Sequence, residues 1–135
     1  MESRIRLHGP ELAARLFDCE QVRGWIDSDP GASVPLVGAA QLIALKARAW
    51  IDLTEREARG EKIDSKTIKK HKNDVFRLYQ ILDPTSDPAA PEVVKSDVRE
   101  FISRMRAEEI DLKALGVGAA RLEDILEEMA RVFRL

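Results

Sequence analysis

Apolar and polar residues along this chain recur mainly at the spacing of an α-helix. The clearest segment, residues 38–53, is rich in Ala and Leu and has no Gly or Pro after Gly38. On a helical wheel with Leu42 at zero, an apolar arc runs from about 300° to about 100°. Its members are Leu42, Ile43, Leu45, Ala49, Trp50 and Leu53. Lys46 falls at about 40°, inside the arc. Its ammonium group must therefore reach water, pair with an acid or face a ligand.

The next segment predicts a second helix. Gly60 is placed to cap the first helix, which runs to about Arg59, and Asp64 is placed to cap the next one. Ile63 and Ile68 have the spacing of a hydrophobic staple at the start of that helix. Its predicted apolar face comprises Ile68, Val75, Phe76, Leu78, Tyr79 and Leu82.

This second helix also carries charged groups on its inward face. With Ile68 at zero, Lys72 falls at about 40° and His71 at about 300° on the wheel. Asp74 lies at the edge of the arc, at about 240°. We therefore predict a groove between the two helices in which Lys46, Lys72, Asp74 and His71 are candidates for binding a phosphate or acidic ligand. Alternatively, both lysines pack their stems and reach water, or Asp74 or Glu55 is the structural partner of one lysine.

The C-terminal part, residues 91–135, predicts further helices. Asp83-Pro-Thr-Ser-Asp-Pro-Ala-Ala-Pro91 is a connector that stops the second helix, and Pro91 can begin the third. A short turn of helix ends at Gly116, and the last helix is predicted from about Gly118 to Arg134. The apolar stripe of the third helix is Val94, Val98, Phe101, Ile102 and Met105, and the last helix should bury Leu122, Ile125, Leu126, Met129 and Phe133.

The N-terminal part is less regular. Residues 1–9 are either a short strand or a lead-in, one or two helices follow Pro10 to about residue 26, and residues 27–33 form a turn. Residues 34–37 are an edge-strand candidate. The prediction is a mostly α, single compact domain of about five helices, with one short N-terminal strand or hairpin left open. Within it, residues 1–33 are the lead-in, 34–82 the central helix pair and 91–135 the C-terminal helices.

Composition narrows the class of protein. The chain has 135 residues, 44% of them hydrophobic and 34% charged, which is typical of a globular domain. No apolar run is long enough to span a membrane, the first residues lack a signal-peptide core, and the single cysteine, Cys19, excludes an internal disulfide framework. These features predict a cytoplasmic protein.

Charge gives one local signal. The net charge of −2 does not indicate nucleic-acid binding by the whole chain. However, Lys66-Thr-Ile-Lys-Lys-His-Lys72 is a basic run on one helix, and it makes Lys66, Lys69 and Lys70 candidates for contacts to RNA phosphates. The plain alternative is a solvated helix face. Few aromatic residues interrupt the run, so sequence-specific readout is not predicted.

Motifs of catalysis and metal binding are not evident. Asp27-Ser-Asp29 precedes Pro30-Gly31 and is best explained by turn formation. His8 and His71 lack other ligands at metal spacing, so no metal site is predicted. No nucleophile elbow and no phosphate-binding Gly-rich loop occurs.

Two stretches carry a resemblance to a known family. They are Leu42-Ile-Ala-Leu-Lys46-Ala-Arg-Ala-Trp-Ile-Asp-Leu53 and Lys69-Lys-His-Lys-Asn-Asp74-Val-Phe-Arg-Leu78. The region 34–82 resembles the C-terminal helical part of bacterial nucleotidyltransferase-like proteins related to the AbiEii abortive-infection toxins of the DNA polymerase β superfamily. Lys46-Ala-Arg-Ala49 fits the Lys-x-x-Ala motif of that family. Asp74 matches the second motif, Arg-Asp-x-x-Asp, in which Asn73 and Arg77 replace the expected basic and acidic residues. The resemblance implies that Lys46 faces nucleotide phosphates and that Asp74 helps to organise the same site.

The catalytic palm of that superfamily has no counterpart here. It requires a Gly-Ser turn followed by an Asp-x-Asp pair that holds Mg²⁺, and residues before 34 do not supply this unit. We therefore expect no nucleotide transfer by this chain alone. It would have no cofactor of its own, and Mg²⁺ with a nucleoside triphosphate would bind only if a palm were present elsewhere.

Three functions remain open from the sequence. The first is a nucleotidyltransferase-like C-terminal part that keeps a phosphate-facing groove and works with an upstream palm. The second is a stand-alone interaction module, whose partner is an antitoxin-type protein or a second copy of the chain. The third is an RNA-contacting module that uses Lys66–Lys72. No membrane partner is expected.

Overall fold

A computed structural model describes residue 25 and residues 38–118 and 120–135. The described part contains four α-helices: α1 Ala39–Ala58, α2 Ser65–Tyr79, α3 Glu92–Met105 and α4 Leu122–Val132. No strand occurs among these residues. The prediction of a compact, mostly α fold is confirmed, with four described helices where about five were expected. The strand candidates at 1–9 and 34–37 and the turn at 27–33 lie outside the described residues, as does all of the lead-in except Trp25, which is helical and buried.

Predicted helix ends are largely confirmed. α1 ends at Ala58, and Gly60 follows with φ of 97°, a left-handed conformation that glycine adopts without strain. The Asp64 carboxylate accepts a hydrogen bond from the Lys66 N–H at 2.9 Å, so Asp64 caps α2. Ile63 and Ile68 each pack against the buried pair Ala49 and Leu53 of α1. α4 begins at Leu122, four residues after the predicted start.

The turn between α1 and α2 is held by a buried arginine that the sequence analysis did not single out. Arg56 is 6% exposed, and its Nε and Nη2 donate to Glu61 Oε1 at 3.0 and 2.9 Å. Such a charge-assisted pair is stronger than a neutral hydrogen bond. It fixes the chain where α1 turns back towards α2.

One hydrophobic cluster joins all four helices. The third-helix stripe of Val94, Val98, Phe101, Ile102 and Met105 is buried as predicted. At its centre, the Phe101 ring meets the Trp50 ring edge to face at a centroid distance of 5.5 Å and the Phe76 ring at 6.3 Å. The geometry of the Trp50–Phe101 pair is one that aromatic rings favour. These rings join α1, α2 and α3 in one core.

The face that α1 buries is wider than the wheel predicted. Ala40, Ala44 and Ala47 are all buried, as is Ile51, whereas Leu42 and Leu45 are only half-buried. Alanine gives a weak hydrophobic signal, so a face built from alanines is easily missed in a sequence. Because the side chains are small, other segments can approach the α1 backbone closely. Lys46 consequently lies at the margin of the buried surface of α1.

Candidate functional site

The interface between α1 and α2 contains a cluster of charges around Asp74. Lys46 Nζ lies 3.1 Å from Asp74 Oδ2, and Arg77 Nη1 donates to Asp74 Oδ1 at 3.1 Å. The Lys46 and Asp74 side chains keep 29% and 18% of their exposure, so water reaches both. Asp74 was one of the two structural partners considered for a lysine, and the geometry supports that alternative for Lys46.

His71 lies one turn before Asp74 and is buried. Its residue exposure is 9%, and its Nδ1 atom has no hydrogen-bond partner in the part of the chain that the structure describes. Burial and then the nearby Lys46 ammonium lower the pKa of His71 to about 4, against the opposite effect of Asp74. His71 is therefore a neutral imidazole at neutral pH, with little attraction for an anion.

Lys72 has a different partner from Lys46. Its Nζ donates to Glu108 Oε1 at 3.0 Å and lies 3.5 Å from the backbone oxygen of Glu109. The Lys72 side chain is 11% exposed. It ties α2 to the segment that follows α3, and this segment was not foreseen as a contact.

The two inward lysines do not lie in one groove. At 100° per residue, Lys72 and Asp74 point about 160° apart around α2. Lys46 lies with Asp74 on the α1 side, whereas Lys72 lies with Glu108 on another side. The structure thus brings together Lys46, His71 and Asp74, and it separates Lys72 from them. Their role in ligand binding stays a prediction.

The outward side of α2 carries a second group of cations, which we call the basic face: Lys66, Lys69, Lys70 and Arg77. These residues, with Asn73, fall between about 100° and about 200° on the α2 wheel. The three lysines are exposed and have no carboxylate within salt-bridge distance in the described part of the chain, whereas Arg77 contacts Asp74. From Lys66 to Arg77 the face extends about 16 Å along the helix.

Other cations differ from these lysines. Most described arginines are paired with acids; examples are Arg48 with Asp97 at 3.3 Å and Arg104 with Glu55 at 3.0 Å. Outside the segment 62–70, the described cations that lack such a partner are scattered, at Lys95, Lys113 and Arg121. Lys66, Lys69 and Lys70 are therefore a local concentration of positive charge without an acidic partner among the described residues, on a chain whose net charge is −2.

An open cleft of about 530 Å³ adjoins the basic face. One wall is formed by Lys69, Asn73 and Arg77, spaced four residues apart along α2. The other wall is the segment after α3, and it comprises Glu109, Ile110, Asp111, Ala114 and Leu115. The volume lies within the range of about 300–1,000 Å³ that is typical of small-molecule sites.

Hydrogen bonds hold the second wall of this cleft in place. Gln80 Nε2 donates to the Leu115 oxygen at 3.0 Å, and Asp111 Oδ1 accepts from the Ala114 N–H at 3.1 Å. The predicted turn ends at Gly116, which has φ of 81°. Together with the Lys72–Glu108 pair, these bonds fix the segment relative to α2.

Asn73, Arg77 and Glu109 were not proposed as site residues from the sequence. Asn73 and Arg77 were noted only as departures from a motif, although their spacing from Lys69 places them on the same helix face. Glu109 gives no comparable signal, because its position opposite α2 depends on the tertiary fold.

Among the residues that the structure describes, no group of three His, Cys, Asp or Glu side chains is arranged to hold a metal ion. None of the described helices is both long and apolar enough to cross a membrane.

Comparison of the chain with models of protein families, with curated proteins and with solved structures found no match. The resemblance to nucleotidyltransferase-like proteins therefore rests on the two short sequence motifs.

Proposed function

We propose that this chain is a helical module that binds RNA through the basic face of α2. The observation that carries the proposal is that Lys66, Lys69 and Lys70 are exposed, adjacent and without an acidic partner in the described structure. Lysines in this state can replace the counterions around phosphates without first breaking an ion pair. The cations considered first from the sequence, Lys46 and Lys72, are engaged with Asp74 and Glu108.

The negative net charge of the whole chain affects the RNA binding that we expect. Because the net charge is −2, the basic face attracts a polyanion locally while much of the remaining surface repels it. We therefore expect modest affinity, a steep dependence on salt and contacts mainly to the phosphate backbone.

The test is fluorescence anisotropy with a labelled single-stranded RNA between about 50 and about 200 mM salt. In the double variant Lys66→Gln/Lys70→Gln we expect binding to weaken about tenfold and the log–log salt slope to fall by about 1.4, since each lost contact to a single strand contributes about 0.7. Both lysines are exposed, so the variant should remain folded.

The matched control is Lys95→Gln/Arg121→Gln, which removes two cations elsewhere on the chain that have no acidic partner among the described residues. It changes the net charge by the same amount but should alter affinity by less than about twofold. Equal weakening by both variants, or no RNA binding by the unaltered chain, would contradict the proposal.

A second candidate function rests on the Lys46–Asp74 pair and the motif resemblance. Both side chains are partly exposed, and Arg77 also contacts Asp74. A nucleotide phosphate could therefore take the place of Asp74 beside Lys46 in a nucleotidyltransferase-like protein completed by a palm. Measuring binding of Mg²⁺–ATP by calorimetry, for this chain and for one extended upstream, tests this candidate.

A further inference from the structure

The cleft beside the basic face has mixed charge, which restricts what it can hold. Lys69 and Arg77 line one wall, and Glu109 and Asp111 line the other. Glu109 is exposed and its carboxylate has no cationic partner among the described residues. A phosphate in the cleft would meet these carboxylates as well as the two cations, whereas on Lys66 and Lys70 it would meet cations without an acidic partner among the described residues. The phosphates of a bound strand are therefore expected on the outer lysines, not in the cleft.

The same walls suit a neutral group with hydrogen-bond donors. Carboxylates accept hydrogen bonds from exocyclic amino groups, and the Asn73 amide can both donate and accept. Ile110 and Leu115 add apolar surface, and the Arg77 guanidinium plane can stack on a base. The second wall is already held by its own hydrogen bonds, so little ordering is required on binding.

We propose that this cleft receives one unstacked nucleobase carrying an exocyclic amino group, from the strand whose phosphates lie on the basic face. The inference rests on the proposed RNA binding and adds a base preference to it. Lys69 belongs to both the basic face and the cleft, so a strand lying along α2 can place a base in the cleft without leaving the lysines. Adenine, cytosine and guanine carry the required amino group, and uracil lacks it.

The experiment compares two labelled RNAs that differ in one chemical group. Each is an oligouridine with one central purine nucleotide, either adenosine or purine riboside, which lacks only the amino group. We expect the adenosine strand to bind about three- to tenfold more tightly by anisotropy. The two strands have equal charge, so a difference reports the base and not the phosphates.

Variants of residues that line the cleft test whether the base preference arises there. Glu109→Ala and Asn73→Ala should each reduce the ratio of the two affinities towards one. Glu127→Ala is the matched control, because Glu127 is an exposed carboxylate on α4 with no cationic partner among the described residues, and it should keep the full ratio. Lys66→Gln/Lys70→Gln should weaken both strands equally and also keep the ratio.

The outcomes separate this inference from the proposed function. Equal binding of the two strands by the unaltered chain, or an unchanged ratio in Glu109→Ala and Asn73→Ala, overturns the base preference while RNA binding through the lysines stands. If Lys66→Gln/Lys70→Gln instead binds RNA as tightly as the unaltered chain, the proposed function is overturned. A reduced ratio in the two cleft variants, with the ratio kept in Glu127→Ala, supports the inference.

Discussion

The two ends of α2 use the same residue types in opposite ways. In residues 65–70, the lysines are exposed and unpaired within the described structure. From His71 onward, three polar side chains are paired: Lys72 with Glu108, Asp74 with Lys46, and Tyr79 with Glu128. Lys70 and Lys72 are two positions apart, yet one is exposed and the other is only 8% exposed.

The difference comes from what packs against each part of the helix. The segment after α3 approaches Lys72, α1 approaches Asp74, and α4 supplies Glu128 to Tyr79. Burial and the hydrogen bond to Glu128 raise the pKa of Tyr79 to about 12, so the phenol stays protonated. The outer face of residues 65–70 has no such neighbour among the described residues, and its charges stay available to a ligand. Paired and exposed cations therefore occupy different parts of one helix.

Acidic pH should destabilise the fold by protonating His71 in the buried part of α2. We expect this to be the largest of the predicted changes in stability. The pKa of His71 is about 4 in the folded chain and about 6.5 when unfolded, so the unfolded state binds more protons between these values. The free energy of unfolding contributed by His71 is thus intact above pH 6.5 and declines as the pH falls to about 4. The expected loss is roughly 2–3 kcal/mol, since one pKa unit corresponds to about 1.4 kcal/mol.

Urea unfolding of the unaltered chain and of His71→Leu at pH 7, 6, 5 and 4 measures this loss. Other groups titrate as well; burial raises the pKa of Asp97, for example, and this favours folding at low pH. Because such groups are present in both proteins, the difference between the two pH profiles isolates His71. Parallel profiles would show that protonation of His71 is tolerated in the fold.

The Lys72–Glu108 pair offers a second test of the difference between the two parts of α2. The expected change in unfolding free energy is smaller than that for His71. Glu108→Gln leaves the buried ammonium without a carboxylate and should cost about 1–2 kcal/mol of unfolding free energy. Lys72→Met removes the charge altogether and should change stability by less than about 1 kcal/mol. In the Lys72→Met background, Glu108→Gln should cost almost nothing.

Chemical denaturation of these variants checks whether the buried and exposed parts of α2 differ in their contribution to stability. The control is Lys70→Met, which changes an exposed lysine of the same helix. Lys70→Met should remain within about 0.5 kcal/mol of the unaltered chain, as is usual for exposed positions. Equal costs for Glu108→Gln and Lys70→Met would mean that the two ends of α2 are energetically alike.

The sequence was sufficient for most of the fold, because periodicity and capping are local properties. The buried stripe of α3 and the Asp64 cap were both predicted and observed. Two features were not recovered: the alanine face of α1, whose hydrophobic signal is weak, and the start of α4. The predicted start, Gly118, has φ of 75° and lies outside the helix.

For the candidate site, the helical wheel predicted which side of each helix the lysines face, but it could not predict the residues with which they pair. It placed Lys46 and Lys72 near apolar surfaces, and both are partly or largely buried. It could not show that they turn to different sides of the tertiary structure, because Glu108 comes from a segment 36 residues away from Lys72. Likewise, the cleft exists only because Glu109 and Asp111 lie opposite α2.

Lys46→Met should have a small effect on stability, and it separates the two candidate functions. Asp74 keeps Arg77 at 3.1 Å when Lys46 is removed, and both members of the Lys46–Asp74 pair are partly exposed. The expected change in unfolding free energy is therefore within about 1 kcal/mol, in the range of solvent-exposed ion pairs. Loss of several kcal/mol would identify Lys46 as an essential structural charge.

The binding measurements on Lys46→Met then distinguish a role for the basic face from a role for the Lys46–Asp74 pair. If RNA binds through Lys66, Lys69 and Lys70, the variant should keep its RNA affinity within about twofold, because a charge engaged with Asp74 contributes little to the field over the outer face. If the pair is instead the remnant of a triphosphate site, Lys46→Met should abolish Mg²⁺–ATP binding by the chain extended upstream, while RNA binding is retained. A parallel loss of RNA affinity would show that the α1 side of α2, and not its exposed lysines, faces the ligand.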